Sequence, residues 1–398
     1  MKILFTTNTL RLWVTVLIAI LAKGRMEAYD YYFKPIDEHF DSIARLLNEA
    51  DFNNQRDSID AALPDLLDQR AAQLNNSQLR ARAIYWRVRM GQMSAQPAWC
   101  IEQLEQARRL LADGYDYDRA CIAYQLAGNQ ERIGHYMQCY ENATAAIALF
   151  RKTGDHYFLG NAHLLLAKMF LELGDNESGH EQLEQARQHY ELAHYPLNRI
   201  SFFKAAFTSS TEEALGYYRE SISTGQSDWG MTMQAMINAS AIFIDRQQND
   251  SAEAYISRAH RLLQREAPQN LFFSSVLMAY RGKMRYQQGR LAEALADLEP
   301  IATKAEMLRG ERLMTDVYKY LWLICDTLGQ QTKAYDYLKQ YHLSYLAGQK
   351  ELIRQQVPKA QAHEAMFGPE RIGAATAMDK RVGRPLIDKW TFSTNGVS

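Results

Sequence analysis

Five histidines lie close together in the sequence and could converge on a transition metal ion after folding. They are His156, His163, His180, His189 and His194. No two of them have the i, i+4 spacing that directs two ligands of one helix at the same ion. Each also stands among polar neighbours. We therefore predict that these histidines lie on solvated helix surfaces and that the chain has no metal site.

Two other groupings could do catalytic chemistry. Ser201 and Lys204 form an S-x-x-K pattern, but its companion motifs are missing. Paired acids such as Glu181 and Glu184 are typical of solvated helix charges rather than of a general acid and base. G-x-S-x-G, P-loop, H-E-x-x-H and dinucleotide-binding motifs do not occur in the sequence. The sequence thus predicts no catalytic residue, no cofactor and no enzyme.

Helices must position these residues. The chain has 398 residues, of which 47% are hydrophobic and 23% charged, and Ala, Leu, Gln, Glu and Arg recur at helical spacing. A formal net charge of −1 lacks the basic excess of nucleic-acid-binding proteins. The four cysteines have no regular spacing, so a disulfide framework is not indicated and they are expected as small buried side chains.

Small and bulky residues take fixed positions around Gly174. Counted from this residue, they stand seven and four positions before it and five, nine and twelve positions after it. These positions hold Ala167, Phe170, Gly179, Leu183 and Ala186. Two antiparallel helices approach closely only where a small residue faces a large one. The pattern therefore predicts a helix hairpin that turns at Gly174.

The pattern recurs along the chain at intervals of 35 to 42 residues. The other turns fall at or near Ala95, Gly134, Ser209, Gln247, Gly289 and Gly329. Two units depart from it, with Arg285 and Ile301 around Gly289, and Trp322 and Tyr341 around Gly329. This order of small and aromatic positions resembles the tetratricopeptide repeat (TPR) family, whose helix pair repeats about every 34 residues. The resemblance covers roughly residues 79–347 and implies an all-α fold, an α-solenoid of about seven to eight TPR-like helix-turn-helix repeats.

The remaining segments flank this array. Residues 1–28 carry an unbroken apolar run, Leu12–Ala22, and are predicted to be a signal peptide or N-terminal anchor. Residues 29–78 are predicted to be a capping helix pair. Residues 348–398 are predicted to be a helix that Pro358 and then Gly368-Pro369 interrupt, followed by a loosely ordered tail. The protein is thus expected to be exported, periplasmic or membrane-associated through its N-terminal segment, or cytoplasmic if translation starts at Met26.

The TPR resemblance also implies a binding surface, because the first helix of each pair faces the concave groove in that family. The residues that it places on this face, here called the groove residues, are Arg82, Tyr85, Arg89, Tyr124, Arg132, Asn161, Lys168, Arg199, Phe203, Gln234, Lys283, Tyr286 and Lys319. Aromatic rings bury area at low entropy cost, while cations and amides pair with carboxylates and free backbone groups. This set favours a protein or peptide ligand and no direct nucleic-acid partner.

Three hypotheses for the function follow. The first is a non-enzymatic TPR scaffold that binds a protein or peptide in its groove. The second is the sensor or regulatory part of a bacterial transmembrane signalling or transcription-regulator system whose output domain is absent here, since residues 341–362 resemble the helix that leaves the last repeat of such proteins. The third, an α/α-barrel hydrolase, is disfavoured because the acids are scattered along helix faces instead of converging on a funnel.

Overall fold

The computed structural model describes residues 32–52, 62–91, 96–225, 228–304 and 311–367, and all of their regular elements are α-helices. The described chain divides into two compact units with their boundary between Leu166 and Ala167. The predicted signal segment, the turn near Ala95 and the tail after residue 367 lie outside the described residues. Within the described ranges, no helix is both long and apolar enough to cross a membrane.

Consecutive helices pack against each other within each unit. The first unit contains α1 (Glu38–Phe52), α2 (Leu63–Gln73), α3 (Ser77–Gly91), α4 (Pro97–Leu110), α5 (Asp116–Arg132), α6 (Tyr136–Thr153) and the start of α7 (His156–Glu172). The second contains the end of α7 and then α8 (Asn176–Leu192), α9 (Asn198–Phe207), α10 (Thr211–Thr224), α11 (Trp229–Asp245), α12 (Asn249–Glu266), α13 (Leu271–Gln287), α14 (Leu291–Ala302), α15 (Glu311–Thr327) and α16 (Gln331–Phe367).

Five of the seven predicted turns share one backbone geometry. At Gly174, which has a φ of +86°, the Asp175 N–H donates to the Phe170 carbonyl at 2.9 Å and the Gly174 N–H donates to the Leu171 carbonyl at 3.1 Å. This is the Schellman motif, in which a left-handed residue ends a helix. The same pair of bonds and a positive φ occur at residues 134, 247, 289 and 329. The recurrence confirms the repeating helix hairpins that the sequence predicts.

Small residues stand where the hairpin partners come closest. In α13, a methyl group on Gly282 would come within 2.6 Å of Leu298 Cγ on α14. In the hairpin of Gly174, a methyl group on Gly179 would collide with the Leu171 side chain. Carbon atoms normally approach to about 3.5–4.0 Å. Glycine is therefore required at both positions because a bulky leucine fills the space opposite.

The two units that depart from the pattern compensate for the change. Arg285 stands where the pattern has an aromatic residue, and it donates to Asp297 of the paired helix at 2.7 Å. Arg281 also donates to Asp297, at 2.6 Å. Trp322 and Tyr341 occupy positions where small residues were expected, one on each helix, and stack on each other with ring centroids 6.0 Å apart. An ion-pair cluster and a ring stack thus link the two helices at the positions where these hairpins depart from the pattern.

Two details of the prediction were wrong. The last helix does not stop at Pro358 but continues to Phe367. Proline removes one helix hydrogen bond and strains the preceding turn, yet Ala362 and His363 beyond it are buried, so packing of the last turns holds them helical. His163 is not solvated: it is 6% exposed, because α7 is buried on most of its surface.

Candidate functional site

The predicted groove residues differ widely in exposure. Most are buried, namely Arg82, Tyr85, Arg89, Tyr124, Asn161, Lys168, Arg199, Phe203 and Gln234. Arg132 is exposed, and Lys283, Tyr286 and Lys319 are partly exposed. The partly exposed residues all lie on α13 and α15 of the second unit. A ligand surface is therefore best sought in that part of the chain.

Buried arginines among the groove residues link successive hairpins. Arg82 on α3 is 2% exposed and binds Asp118 of α5 through two bonds of 2.7 and 2.9 Å, with Asp41 of α1 at 3.2 Å. A buried arginine held by two carboxylates serves the fold, because leaving any member unpaired is costly. Arg82 is thus accounted for by the packing of three helices.

The second unit repeats this link. Arg199 on α9 donates to Asp228 at 2.9 Å, and the other carboxylate oxygen of Asp228 accepts the Met231 N–H at 3.1 Å to cap α11. In the first unit, Asp155 caps α7 by accepting the Phe158 N–H at 3.0 Å and accepts the Tyr117 hydroxyl at 2.7 Å. Burial raises the pKa of Asp155 above its ordinary value. An acid at the start of one first helix thus binds a donor on the preceding first helix.

A cavity that opens to solvent lies in the second unit, with about 620 Å³ of empty space that includes its open mouth. It is lined by three first helices, α11, α13 and α15, and by one residue of α14. The lining residues are Gln234, Ile237, Asn238, Phe272, Phe273, Val276, Ala279, Tyr280, Lys283, Leu298, Leu313, Asp316, Val317 and Tyr320. Ten of these are aliphatic or aromatic. The wall therefore suits an apolar group, which gains about 1.5–3 kcal/mol when its side chain is buried.

Asn238 supplies a polar group on this wall. The residue is 6% exposed, and its Nδ2 donates to the Tyr218 hydroxyl oxygen of α10 at 2.9 Å. Its Oδ1 accepts no hydrogen bond from the described residues. A buried acceptor without a partner costs about 1–3 kcal/mol. A ligand that donates an N–H or O–H to this oxygen would recover that cost.

Charged and aromatic residues stand beside the cavity. Lys283 on α13 forms an ion pair of 2.7 Å with Asp245 on α11. The Tyr286 ring lies 5.3 Å from the Tyr320 ring, and Lys319 Nζ lies 5.8 Å from the same Tyr320 ring. Burial, followed by Asp316, Asp245 and Tyr286, raises the pKa of the Tyr320 hydroxyl, which keeps it a neutral donor. The structure thus places Tyr286 and Lys319 around the Tyr320 ring and Lys283 on the cavity wall.

This arrangement favours binding over catalysis. The cavity has mostly apolar walls, a neutral tyrosine, an amide acceptor and one carboxylate, Asp316. Lys283 also lines it and is paired with Asp245. Among the described residues, no three His, Cys, Asp or Glu side chains are placed to hold a metal ion. The described cysteines are free and buried, as expected. Recognition of an apolar group that carries a donor is the chemistry these residues support.

The sequence analysis missed Asn238, Phe272 and Tyr320. The TPR resemblance assigns one to three positions of each first helix to the groove. Asn238 lies one helical turn after Gln234, and Phe272 lies eleven residues, about three turns, before Lys283. Neighbours along the chain do not indicate which of these residues enclose a cavity, because α11, α13 and α15 lie about 40 residues apart. Searching each first helix for polar residues within an apolar stretch, such as Asn238 in α11, would have found it.

Comparisons with known proteins agree with this architecture. No family model and no curated protein matches the chain. A Rap protein complexed with Competence and Sporulation Factor is 13% identical with a TM-score of 0.56, over 87% of this chain and 97% of that one. The chain also resembles a signal transduction ATPase with a tetratricopeptide repeat sensor from Pyrococcus horikoshii, with 16% identity and a TM-score of 0.54. This match covers 87% of the present chain and 55% of the Pyrococcus protein.

Identities this low establish likeness of fold alone. Together with the hairpins described above, they show that the chain has a TPR-like all-α solenoid fold. The class of protein is therefore a helical repeat protein whose first helices carry the candidate site.

Proposed function

We propose that the protein is a non-enzymatic scaffold that binds a protein or peptide on the face formed by α11, α13 and α15. The observation that carries this proposal is the apolar cavity between these first helices. One bulky apolar side chain of the ligand enters the cavity, and a donor of the ligand binds Asn238 Oδ1. Stacked helix pairs present extended surfaces of this kind and are widely used for recognition.

The comparisons support a binding role. The Rap structure holds Competence and Sporulation Factor, and the Pyrococcus horikoshii protein is a signal transduction ATPase with a tetratricopeptide repeat sensor. The second hypothesis, a transmembrane regulator, gains no support from the described residues.

Selection from a random library tests the proposal. Twelve-residue peptides displayed on phage would be selected against the full chain, and the affinity of the best peptide measured by fluorescence anisotropy. Val276→Trp fills the cavity and should weaken binding by about tenfold or more, because the ligand loses burial of a side chain worth about 1.5–3 kcal/mol. Unchanged binding to a folded Val276→Trp variant would refute the placement of the site.

Leu271→Trp provides the matched control. Leu271 lies on the same helix, is exposed and does not line the cavity. The same large residue is therefore introduced without filling the site. Equal loss of affinity in both variants would show that the effect comes from altered α13 rather than from the cavity.

A further inference from the structure

The last helix is much longer than its hairpin partner. α16 has 37 residues, whereas α15 has 17, so more than half of α16 extends beyond the hairpin. Its first turns pack on α15 through buried Ala334 and through the stack of Tyr341 on Trp322. Most of residues 342–350 are exposed. A free helix of this length needs contacts elsewhere to stay ordered.

Such contacts reappear at the far end of α16. Lys359 Nζ lies 3.9 Å from Glu172 Oε2, at the end of α7 in the same unit. Ala362 and His363 are 4% and 7% exposed, and together with Lys359 they stand at i, i+3 and i+4, which places all three on one face of the helix. The opposite face is open, with Val357 57% exposed. One face of the last turns of α16 is therefore packed.

Glu172 is shared between two cations. Lys168 Nζ, one turn earlier on α7, lies 4.0 Å from Glu172 Oε1, while Lys359 Nζ faces Oε2. Glu172 belongs to the hairpin that turns at Gly174, four hairpins before that of α16. α16 thus returns along the second unit to a first helix at the unit's beginning.

We propose that the end of α7 is a docking surface for a helix, and that residues 356–366 of α16, here called the C-terminal strap, occupy it reversibly in the same chain. The surface selects a helix in which a cationic residue lies one turn before small or weakly polar residues. In the strap these are Lys359, Ala362 and His363. The strap covers groove residue Lys168 and its partner Glu172 until it is released. This surface is separate from the cavity of α11, α13 and α15, so it does not rest on the function proposed above.

The strap should detach at a low cost in free energy. Glu172 and Lys359 are about one quarter exposed, and ion pairs of this kind contribute little. The distance of 3.9 Å between Lys359 Nζ and Glu172 Oε2 is long for an ion pair, and most of residues 342–350, in the middle of α16, are exposed. Opening should therefore require far less free energy than unfolding of the hairpins.

Hydrogen exchange of the full chain tests the contact. Lys359→Glu replaces attraction to Glu172 with repulsion. It should speed amide exchange of residues 356–366 by about three- to tenfold, as expected when a partly exposed ion pair is lost and reversed. Restoring the pair as Glu172→Lys/Lys359→Glu should return much of the protection. Lys350→Glu, the same substitution at an exposed position of α16, should leave it unchanged. Equal protection in wild type and Lys359→Glu would overturn the proposal.

Cross-linking tests the occupant. In a Glu172→Cys/Lys359→Cys variant, a bismaleimide should join the two positions within one chain, since the native cysteines are buried and poorly reactive. A cross-linked monomer supports the strap. A cross-linked dimer would show that α16 of a second copy fills the surface, and absence of both products would show that the surface is not occupied in solution; either result overturns the assignment.

Discussion

Adding one methyl group at Gly282 tests whether small residues are required where hairpin partners meet. In Gly282→Ala, the new Cβ would lie 2.6 Å from Leu298 Cγ and 2.7 Å from Cδ2, about 1 Å closer than a normal carbon contact. Leu298 is 1% exposed and lines the cavity, so it can relieve the collision only by shifting into that space. Overpacking of this kind costs about 1–3 kcal/mol. Higher helix propensity of alanine returns about 1 kcal/mol, so the net loss should be up to about 2 kcal/mol.

Gly216→Ala isolates the steric part. Gly216 is also inside a helix of the second unit, α10, but is exposed and would meet nothing within 4 Å. This variant should be more stable than wild type by about 0.5–1 kcal/mol. The difference between the two variants, about 1–3 kcal/mol, measures the collision alone.

Urea unfolding followed by circular dichroism at 222 nm provides the measurement, and the double variant Gly282→Ala/Leu298→Ala provides the check. With Leu298 shortened, alanine at 282 should no longer destabilise the hairpin and should partly fill the space that leucine leaves. Equal unfolding midpoints for Gly282→Ala and Gly216→Ala would refute the packing argument.

Three further outcomes are expected. Asn238→Ala should weaken binding of the selected peptide about three- to tenfold by removing its acceptor, whereas Tyr218→Phe, which loses the same internal hydrogen bond, should change stability and leave affinity intact in anisotropy titrations. Arg82→Ala should lower the free energy of unfolding of the first unit by about 3–5 kcal/mol, measured by urea unfolding, because two buried carboxylates lose their cation. The pKa of Asp155 is raised in the folded state, so the folded protein holds this proton more tightly than the unfolded chain does. The free energy of unfolding should therefore fall as the pH rises from the ordinary pKa of 3.8 through the raised one. In urea unfolding curves taken from pH 3.5 to 7, Asp155→Asn should remove this decline.

The sequence predicted the hairpins well because their determinants are local. A glycine at the turn and small residues at fixed offsets, as at Gly174 and Gly282, act within about a dozen residues of each other. The contacts that replace the pattern in two hairpins were not predicted, because they join residues on different helices. In the sequence, Trp322 and Tyr341 are two separate exceptions, and only the structure shows that they stack on each other.

The candidate site was predicted only in part. Lys283 lines the cavity and Tyr286 lies against Tyr320 beside it, whereas Arg82 belongs to a buried ion network. A first helix is covered by neighbours on several sides, so its polar residues do not identify a solvated face. Asn238 acquires its role from Tyr218 and from helices about 40 residues away. Such contacts depend on how neighbouring hairpins stack, which local patterns do not specify.

A photocrosslinking experiment tests the central claim most directly. A benzophenone amino acid at Phe272, which lines the cavity and is partly exposed, would be compared with the same group at Tyr255 on the second helix α12. We predict that the selected peptide crosslinks to position 272 and not to position 255. Crosslinking at 255 without crosslinking at 272 would contradict the proposal that the ligand binds between α11, α13 and α15.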